Sequence, residues 1–354
     1  MSGWSIAMGI VLLAGTLPIA VAVVVFALQV LLAAFARKRL PAPRMRATRP
    51  RLAVLVPAHD EAQGIAAALA AIAVQLHAGD RLLVVADNCR DATADIARAA
   101  GADVVERRHD TERGKGFALA FGVDALRADP PELVVIVDAD CALAPGALDA
   151  LAACTVATGR PSQACYLMLQ PPGATLGRRL AQFAWRVRNL VRPLGWQRIG
   201  APCQLMGSGM CLPWTAVRDA ALADAAIVED MKLGLELALR GEAPVFCPEA
   251  VVTSVFPATE MAARTQRTRW EHGHLQMILG TAPAMLRRAL ARRDAMLLGL
   301  ALDLCVPPLA LLQAMLLALL PITGLLVAVA PAAAWPRAAM VFAGALNLAF
   351  TGAA

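Results

Sequence analysis

Two aspartates, Asp138 and Asp140, follow directly on the apolar run Leu133–Val137. Carboxylates at that spacing and place suit a hard divalent ion, Mg2+ or Mn2+, shared with a diphosphate, because both ions prefer oxygen ligands and often keep phosphate oxygens among them. The same tripeptide also describes a solvated acidic turn; the strand before it favours the metal. Asp87 ends a second β-prone run, Arg81–Ala86, where it can accept hydrogen bonds from a base or ribose. Its neighbours Asn88 and Asp91 also suit a helix N-cap. Arg113-Gly114-Lys115-Gly116 opens an Ala-rich helix. Glycine there permits close backbone approach, a helix start favours anions, and Lys115 can reach a phosphate or base, although the P-loop spacing is absent.

Farther along, Ile227-Val228-Glu229-Asp230-Met231 puts two acids at the head of the helical run Met231–Arg240. They complement the helix dipole, and Asp230 can also serve as a general base. In Gln266-Arg267-Thr268-Arg269-Trp270, helical spacing places Gln266, Arg269 and Trp270 on one face. An amide, a guanidinium and an indole together can hold a diphosphate and stack on a sugar; a basic helix lying on a membrane with a Trp anchor has the same composition. This pentapeptide is the most specific signal in the chain. His272-Gly273-His274 lacks the helical i, i+4 spacing of a metal pair. Gly207-Ser208-Gly209 reads as a tight turn near an acceptor path, and Asp303, alone in an apolar run, faces a polar groove or sits at an interface.

These residues need a scaffold. Leu52–Pro57, Arg81–Ala86, Asp103–Glu106 and Leu133–Val137 read as strands, alternating with helical segments Glu61–Gln75, Asp91–Ala100 and Gly114–Leu126. That alternation predicts a parallel α/β sheet with helices on both faces and ligands beyond the strands' carboxyl ends. Around this domain the chain is apolar: 58% of its 354 residues are hydrophobic, above the soluble average. Ile6–Phe35 carries no charge and is long enough to span a bilayer. Arg37, Lys38, Arg39, Arg44, Arg46, Arg49 and Arg51 follow it, which by the positive-inside rule puts that flank in the cytosol and the N-terminus outside. Thr259–Arg293 reads as amphipathic interfacial helices. Beyond it, a broken helix precedes a span near Pro308–Ala330, and a barely sufficient apolar segment covers Ala338–Ala354. The expected division is an N-terminal transmembrane helix over 1–36, a cytosolic catalytic domain over 37–258, interfacial helices over 259–294 and transmembrane helices over 295–354. The net charge of +6 is clustered beside apolar runs, with no nucleic-acid-reading motif, so no nucleic-acid partner is expected. Eight cysteines without a CxxC pair read as reduced thiols.

In the order Asp87, Asp138 and Asp140, Asp230, then Gln266, Arg269 and Trp270, the chain resembles the family 2 inverting glycosyltransferases. The likeness is greatest to the membrane-bound branch related to cellulose, hyaluronan and poly-N-acetylglucosamine synthases. It covers Arg51 to Trp270 and continues into the C-terminal spans. The resemblance implies a GT-A (Rossmann-like) nucleotide-sugar-binding domain with flanking transmembrane helices, and a nucleoside-diphosphate donor that is usually UDP-linked. Val56-Pro57-Ala58-His59-Asp60-Glu61 looks like the first nucleotide-binding loop, with Pro57, His59 and Glu61 on the donor and Asp60 where Asn is common. Asp87 matches the acid that contacts the base, single where relatives often carry two. Asp138 and Asp140 match the DxD metal pair, Asp138 also touching the donor and Asp140 the more direct metal ligand. Asp230 matches the catalytic base, and Gln266, Arg269 and Trp270 match the QxxRW signature; Lys115 joins the donor set.

The function expected is transfer of a sugar from a UDP-sugar to a glycan or lipid-linked acceptor at the bacterial inner membrane by a multi-pass protein with a cytosolic catalytic domain. Few spans argue against a private polymer channel, leaving limited addition or a processive synthase subunit that needs partner membrane subunits. A nucleotidyltransferase would leave Gln266–Trp270 unexplained. An inactive membrane scaffold would not require acids at every expected position.

Overall fold

The computed structural model describes residues 3–35, 49–223, 228–257, 259–329 and 334–353. The basic residues from Arg37 to Arg46, Ile227, and the outer ends Ala330 and Ala354 of the two expected C-terminal segments lie outside the described residues. In chain order, helix α1 (Gly3–Ala34) precedes β1 (Leu52–Ala58), α2 (Ile65–Ala73), β2 (Arg81–Asp87), α3 (Thr93–Ala99), β3 (Asp103–Arg107), α4 (Lys115–Leu126) and β4 (Leu133–Ile136). Then come β5 (Ala142–Leu143), α5 (Ala147–Thr158), β6 (Ser162–Leu169), α6 (Leu176–Arg186), a π-helical turn (Val187–Val191), α7 (Arg192–Gln197), β7 (Met210–Pro213) and α8 (Trp214–Val217). The chain continues through α9 (Glu229–Leu239), β8 (Val245–Val255), α10 (Glu260–Gly280), α11 (Ala282–Arg292), α12 (Ala295–Leu304), α13 (Leu309–Val329) and α14 (Ala334–Ala353).

The eight strands form one sheet in the order β3-β2-β1-β4-β7-β6-β8-β5. The first four are parallel, as the strand–helix alternation requires. The apolar runs of β1, β2 and β4 are buried on both faces, with Leu52 to Val56 inaccessible to solvent, while β3 lies half-exposed at the sheet edge. The expectation of a wholly parallel sheet is corrected beyond β4. There β7 enters antiparallel between β4 and β6, β8 runs parallel to β6, and β5 closes the edge antiparallel to β8. One consequence matters for the site. An antiparallel β7 begins where β4 ends, so the loop before Met210 lies beside the residues after Ile136, and the Gly209 amide donates to the Ile136 carbonyl at 2.9 Å. Gly209 is obligatory there: its φ is +70°, and an added Cβ would lie 2.6 Å from Ala164 Cβ.

Among the described residues one helix, α1, is long and apolar enough to cross a membrane. The pair α12 and α13, bent by 71° at Cys305–Pro308, would make a second if it is one broken span; the apolar stretch Ala338–Ala353 is shorter. Expected flanking spans therefore reduce, in what the structure displays, to one N-terminal apolar helix. Along α1, Ile19 and Val23 pack on Leu312, Leu316, Met340 and Ala343. One turn on, Phe26 and Val30 pack on Val187, Trp196 and Val306.

Candidate active site

The carboxyl ends of β1, β2 and β4 carry Glu61, Asp87 and Asp138. A parallel sheet leaves a crevice at such ends, and this one holds a tight cluster of acids around one lysine. Lys115, at the first turn of α4, pairs with Asp138, donates to the Gly207 carbonyl at 2.6 Å and stands 3.9 Å from Glu229. Gly207, at φ +90°, keeps the centre open: a Cβ there would lie 3.4 Å from Asp230 Oδ2 and 3.9 Å from Asp138 Oδ2. The adjoining Ser208 hydroxyl accepts from the Asp138 amide at 3.1 Å. Thus Asp138, Lys115, Glu229 and Asp230, from three separate stretches of sequence, converge on one backbone turn.

Burial raises the carboxyl pKa of both Asp138 and Asp230, against the lowering influence of the Lys115 charge. Burial and the Asp230 charge push Glu229 up to about 7. Burial acts to lower Lys115, but Asp138 and Glu229 outweigh it and hold the ammonium above its ordinary range. A carboxylate with a raised pKa beside a fixed cation is suited to take a proton near neutral pH. The Asp230 Oδ1 atom accepts from the Met231 amide at 2.8 Å, which fixes its rotamer at the head of α9.

The donor set of Asp138 and Asp140 fits a hard divalent ion. Ligand atoms of Asp138, Asp140 and Cys141 lie within 4.8 Å of one another. The Ser254 hydroxyl donates to Asp140 Oδ2 at 2.9 Å. Burial and both neighbouring aspartates hold the Cys141 thiol far above its usual range, so it stays protonated and leaves two oxygen ligands to Mg2+ or Mn2+. Asp60, Cys89 and Asp91 form a similar group. There the carboxylates bond to loop amides, Asp60 to Arg90 at 2.7 Å and Asp91 to Ala62 at 3.0 Å, and set the loop's shape.

Across the crevice, Glu61 faces Asp138 and Asp140. Burial and the charges of Asp140 and Asp138 raise its pKa, and its amide donates to Thr93 at 2.8 Å. Pro57 is the penultimate residue of β1, and His59 Nδ1 lies 2.7 Å from the Asp87 carbonyl, tying the first loop to the second. Asp87 sits 6% exposed at the crevice floor, where its Oδ1 pairs with Arg107 at 2.9 Å. Arg107 also holds Glu112 at 2.9 Å, so the loop before Lys115 is braced through Asp87. Asp87 therefore has a structural partner at the place where the sequence suggested a base contact.

The three residues of the α10 signature take different positions. Trp270 is half-buried against Trp185, with ring centroids 4.9 Å apart. Gln266 is half-buried and its Oε1 lacks a hydrogen-bond partner among the described residues. Arg269 is exposed. His274 is a core residue bonded from Nε2 to the Leu304 carbonyl at 3.0 Å, in keeping with its poor metal spacing. Sequence reasoning passed over Ser208 as a side-chain partner, Ser254, Trp185 and Arg188. No spacing rule marks them, because they reach the site from the turn before β7, from β8, from α6 and from the π-turn. Arg188 stands on that turn, 6.0 Å over the Trp185 ring, and feels the Asp230 charge. A π-turn between two α-helices was the kind of signal that marks function, but it is visible only in the backbone.

Comparison with known proteins gives a family for most of the chain. A family model described as "Glycosyltransferase like family 2" matches residues 50–273, which contain every acid of the cluster. No curated protein sequence matches the chain. Among solved structures, the chain is similar to a mannosyltransferase of Pyrobaculum calidifontis in complex with GDP-Man and Mn2+. That likeness has 20% identity and a TM-score of 0.51 over 94% of this chain and 98% of that one. It is also similar to glucosyl-3-phosphoglycerate synthase of Mycobacterium tuberculosis in complex with Mg2+ and UDP, at 20% identity and a TM-score of 0.44 over 67% and 84% of the chains.

Proposed function

Because the chain belongs to the glycosyltransferase-like family 2, we propose that its acid cluster transfers a sugar with inversion from a nucleoside diphosphate, UDP by the family's habit, to an acceptor hydroxyl. The observation that carries this reading is the convergence of Asp138, Lys115 and Asp230 on the open Gly207 turn. Asp138 and Asp140 would hold Mg2+ or Mn2+, which when bound supplies Lewis-acid neutralisation of the leaving diphosphate. Pro57, His59, Glu61 and Asp87 frame the nucleoside end of the crevice. Lys115 hydrogen-bonds the diphosphate as negative charge grows on it. Asp230 takes the acceptor's hydroxyl proton, the freed oxygen attacks the anomeric carbon, and the carbon–oxygen bond to the diphosphate breaks with its electrons. Attack from the face opposite the leaving group turns an α linkage into β.

Gln266, Arg269 and Trp270 are assigned to the diphosphate and acceptor on the strength of the family signature, supported for Trp270 by its place beside Trp185. The apolar helix α1 supports membrane attachment, with the catalytic domain cytosolic, α10 and α11 at the interface, and further spans among α12 to α14. Asp230→Asn should lower the transfer rate about 10²–10⁴-fold while nucleoside-diphosphate binding, measured by calorimetry, is unchanged. Near-normal transfer by that variant would remove Asp230 from the role of base.

A further inference from the structure

Beside the acid cluster lies a cavity of about 430 Å³ whose two walls differ in origin. Trp185, Phe256 and Trp270 form one wall, from the catalytic domain; Phe26, Leu309 and Leu312 form the other, from α1 and α13. The bend between α12 and α13 opens it, since Val306, Pro307 and Pro308 contribute the connection instead of a continuing helix. Leu180 stands at the rim, 58% exposed.

The polar groups in the inner part of these walls bond within the protein, while Glu260, Arg267 and Glu271 of α10 line the cavity as well. Arg192 is bonded to Asp303 at 2.8 Å, and His274 to the Leu304 carbonyl. Gln170 donates to the Arg178 carbonyl at 3.0 Å, and Arg178 to the Pro257 carbonyl. A glycan needs hydrogen-bonding partners along its length; here the inner groups Arg192, His274 and Arg178 bond to the protein, and the rest of the lining is largely apolar. Arg188 is different. It lines this cavity and also the small one against Met231, the residue whose amide fixes Asp230. Its hydrogen bond within the protein is a weak one to the Met231 sulfur at 3.7 Å. The guanidinium thus stands between the apolar groove and the small cavity at Met231, within reach of the Asp230 charge.

We propose that this groove holds the hydrocarbon chain of a lipid acceptor, with the headgroup hydroxyl passing Arg188 to reach Asp230. The inference rests on the transferase reading and names its acceptor class. The hydroxyl loses its proton to Asp230, its oxygen bonds to the anomeric carbon, and the nucleoside diphosphate leaves with the electron pair. Pockets that bury most of a ligand are usually apolar with a few placed polar groups, and this groove continues onto α1, which is long and apolar enough to cross a bilayer, and onto α13 of the bent pair.

The test uses the full-length protein in phosphatidylcholine nanodiscs and a monoacylglycerol whose C16 chain carries a diazirine. Irradiation should label residues 176–188 and 306–312. Filling the groove with Ala184→Trp, or with Ala181→Trp should the first variant misfold, should cut that labelling at least fivefold; Mn2+-dependent nucleoside-diphosphate binding, read in parallel, should persist and report the fold. Labelling unaffected by filling, or confined to the outward faces of α1 and α14, would overturn the inference. So would displacement of the label by a soluble cello-oligosaccharide, which would give the groove to a glycan. Labelling in the groove without any nucleotide binding by the wild type would instead count against the transferase reading and leave the groove's lipid site standing.

Discussion

At the residue scale the acids of the candidate site are held in an electrostatic balance that pH can shift. Glu229 titrates near 7 because burial and Asp230 oppose its charge more than Lys115 supports it. A carboxyl whose folded pKa lies above its unfolded one binds more protons when folded. Its stabilising contribution is therefore complete below the unfolded value of 4.5 and is lost as pH rises through about 7. Glu229→Gln should raise the stability of the metal-free protein on the order of 1–2 kcal/mol at about pH 8 and change little near pH 4, as read by thermal melts at both pH values. A variant equally stabilised at both would show that ionisation of Glu229 is not the cause. Asp138, Asp140 and Asp230 were legible in the sequence because each stands at the boundary of a strongly patterned strand or helix. Asp87 was legible as a residue at a strand end, but its Arg107 partner lies 20 positions away on β3, a pairing only the parallel register reveals.

At the element scale the parallel half of the sheet was readable from its apolar runs, and the antiparallel half was not. β7 has four residues and β5 two, too short for periodicity to show, yet β7 brings the Gly207 turn to Asp138. Helix α10 illustrates the opposite case. Its Gln266–Trp270 pentapeptide stands out in the sequence, while its packing depends on His274, whose sequence context suggested only a poor metal spacing. Burial and the nearby Arg188 charge push the imidazole down to about 3, so it is neutral when folded. The unfolded chain then binds the extra proton, and the stability His274 contributes is present above about 6.5 and lost as pH falls toward 3. His274→Gln keeps a donor for Leu304 and cannot titrate, so it should flatten the loss of melting temperature between about pH 6 and pH 4. A slope identical to wild type would move the acid sensitivity to another group.

At the scale of the whole molecule, α1 is fastened to the catalytic domain and is more than a tether. Arg192 of α7 bonds Gln29 of α1 and Asp303 of α12 at 2.8 Å each, and Gln29 bonds Asp303 at 2.6 Å. The helices meet so closely at Gly195 that an added Cβ would lie 1.9 Å from the Gln29 carbonyl oxygen. Gly195→Ala should therefore cost about 3 kcal/mol, whereas Gly177→Ala, which meets nothing within 4 Å, should be neutral or slightly stabilising; melting of the two in nanodiscs compares them. Equal melting temperatures would mean that α1 does not pack on α7 as described. The apolar length of α1 was plain from composition, but this contact was not, since Gly195 and Gln29 are far apart in sequence and neither belongs to a motif. The central claim, metal-dependent sugar transfer at the Gly207 turn, is tested most directly by nucleoside-diphosphate release from a panel of nucleotide sugars with Mn2+, Mg2+ or EDTA, beside Asp138→Ala. The account predicts release with one donor, abolished by EDTA and by the substitution; release that persists in EDTA and in Asp138→Ala would contradict it.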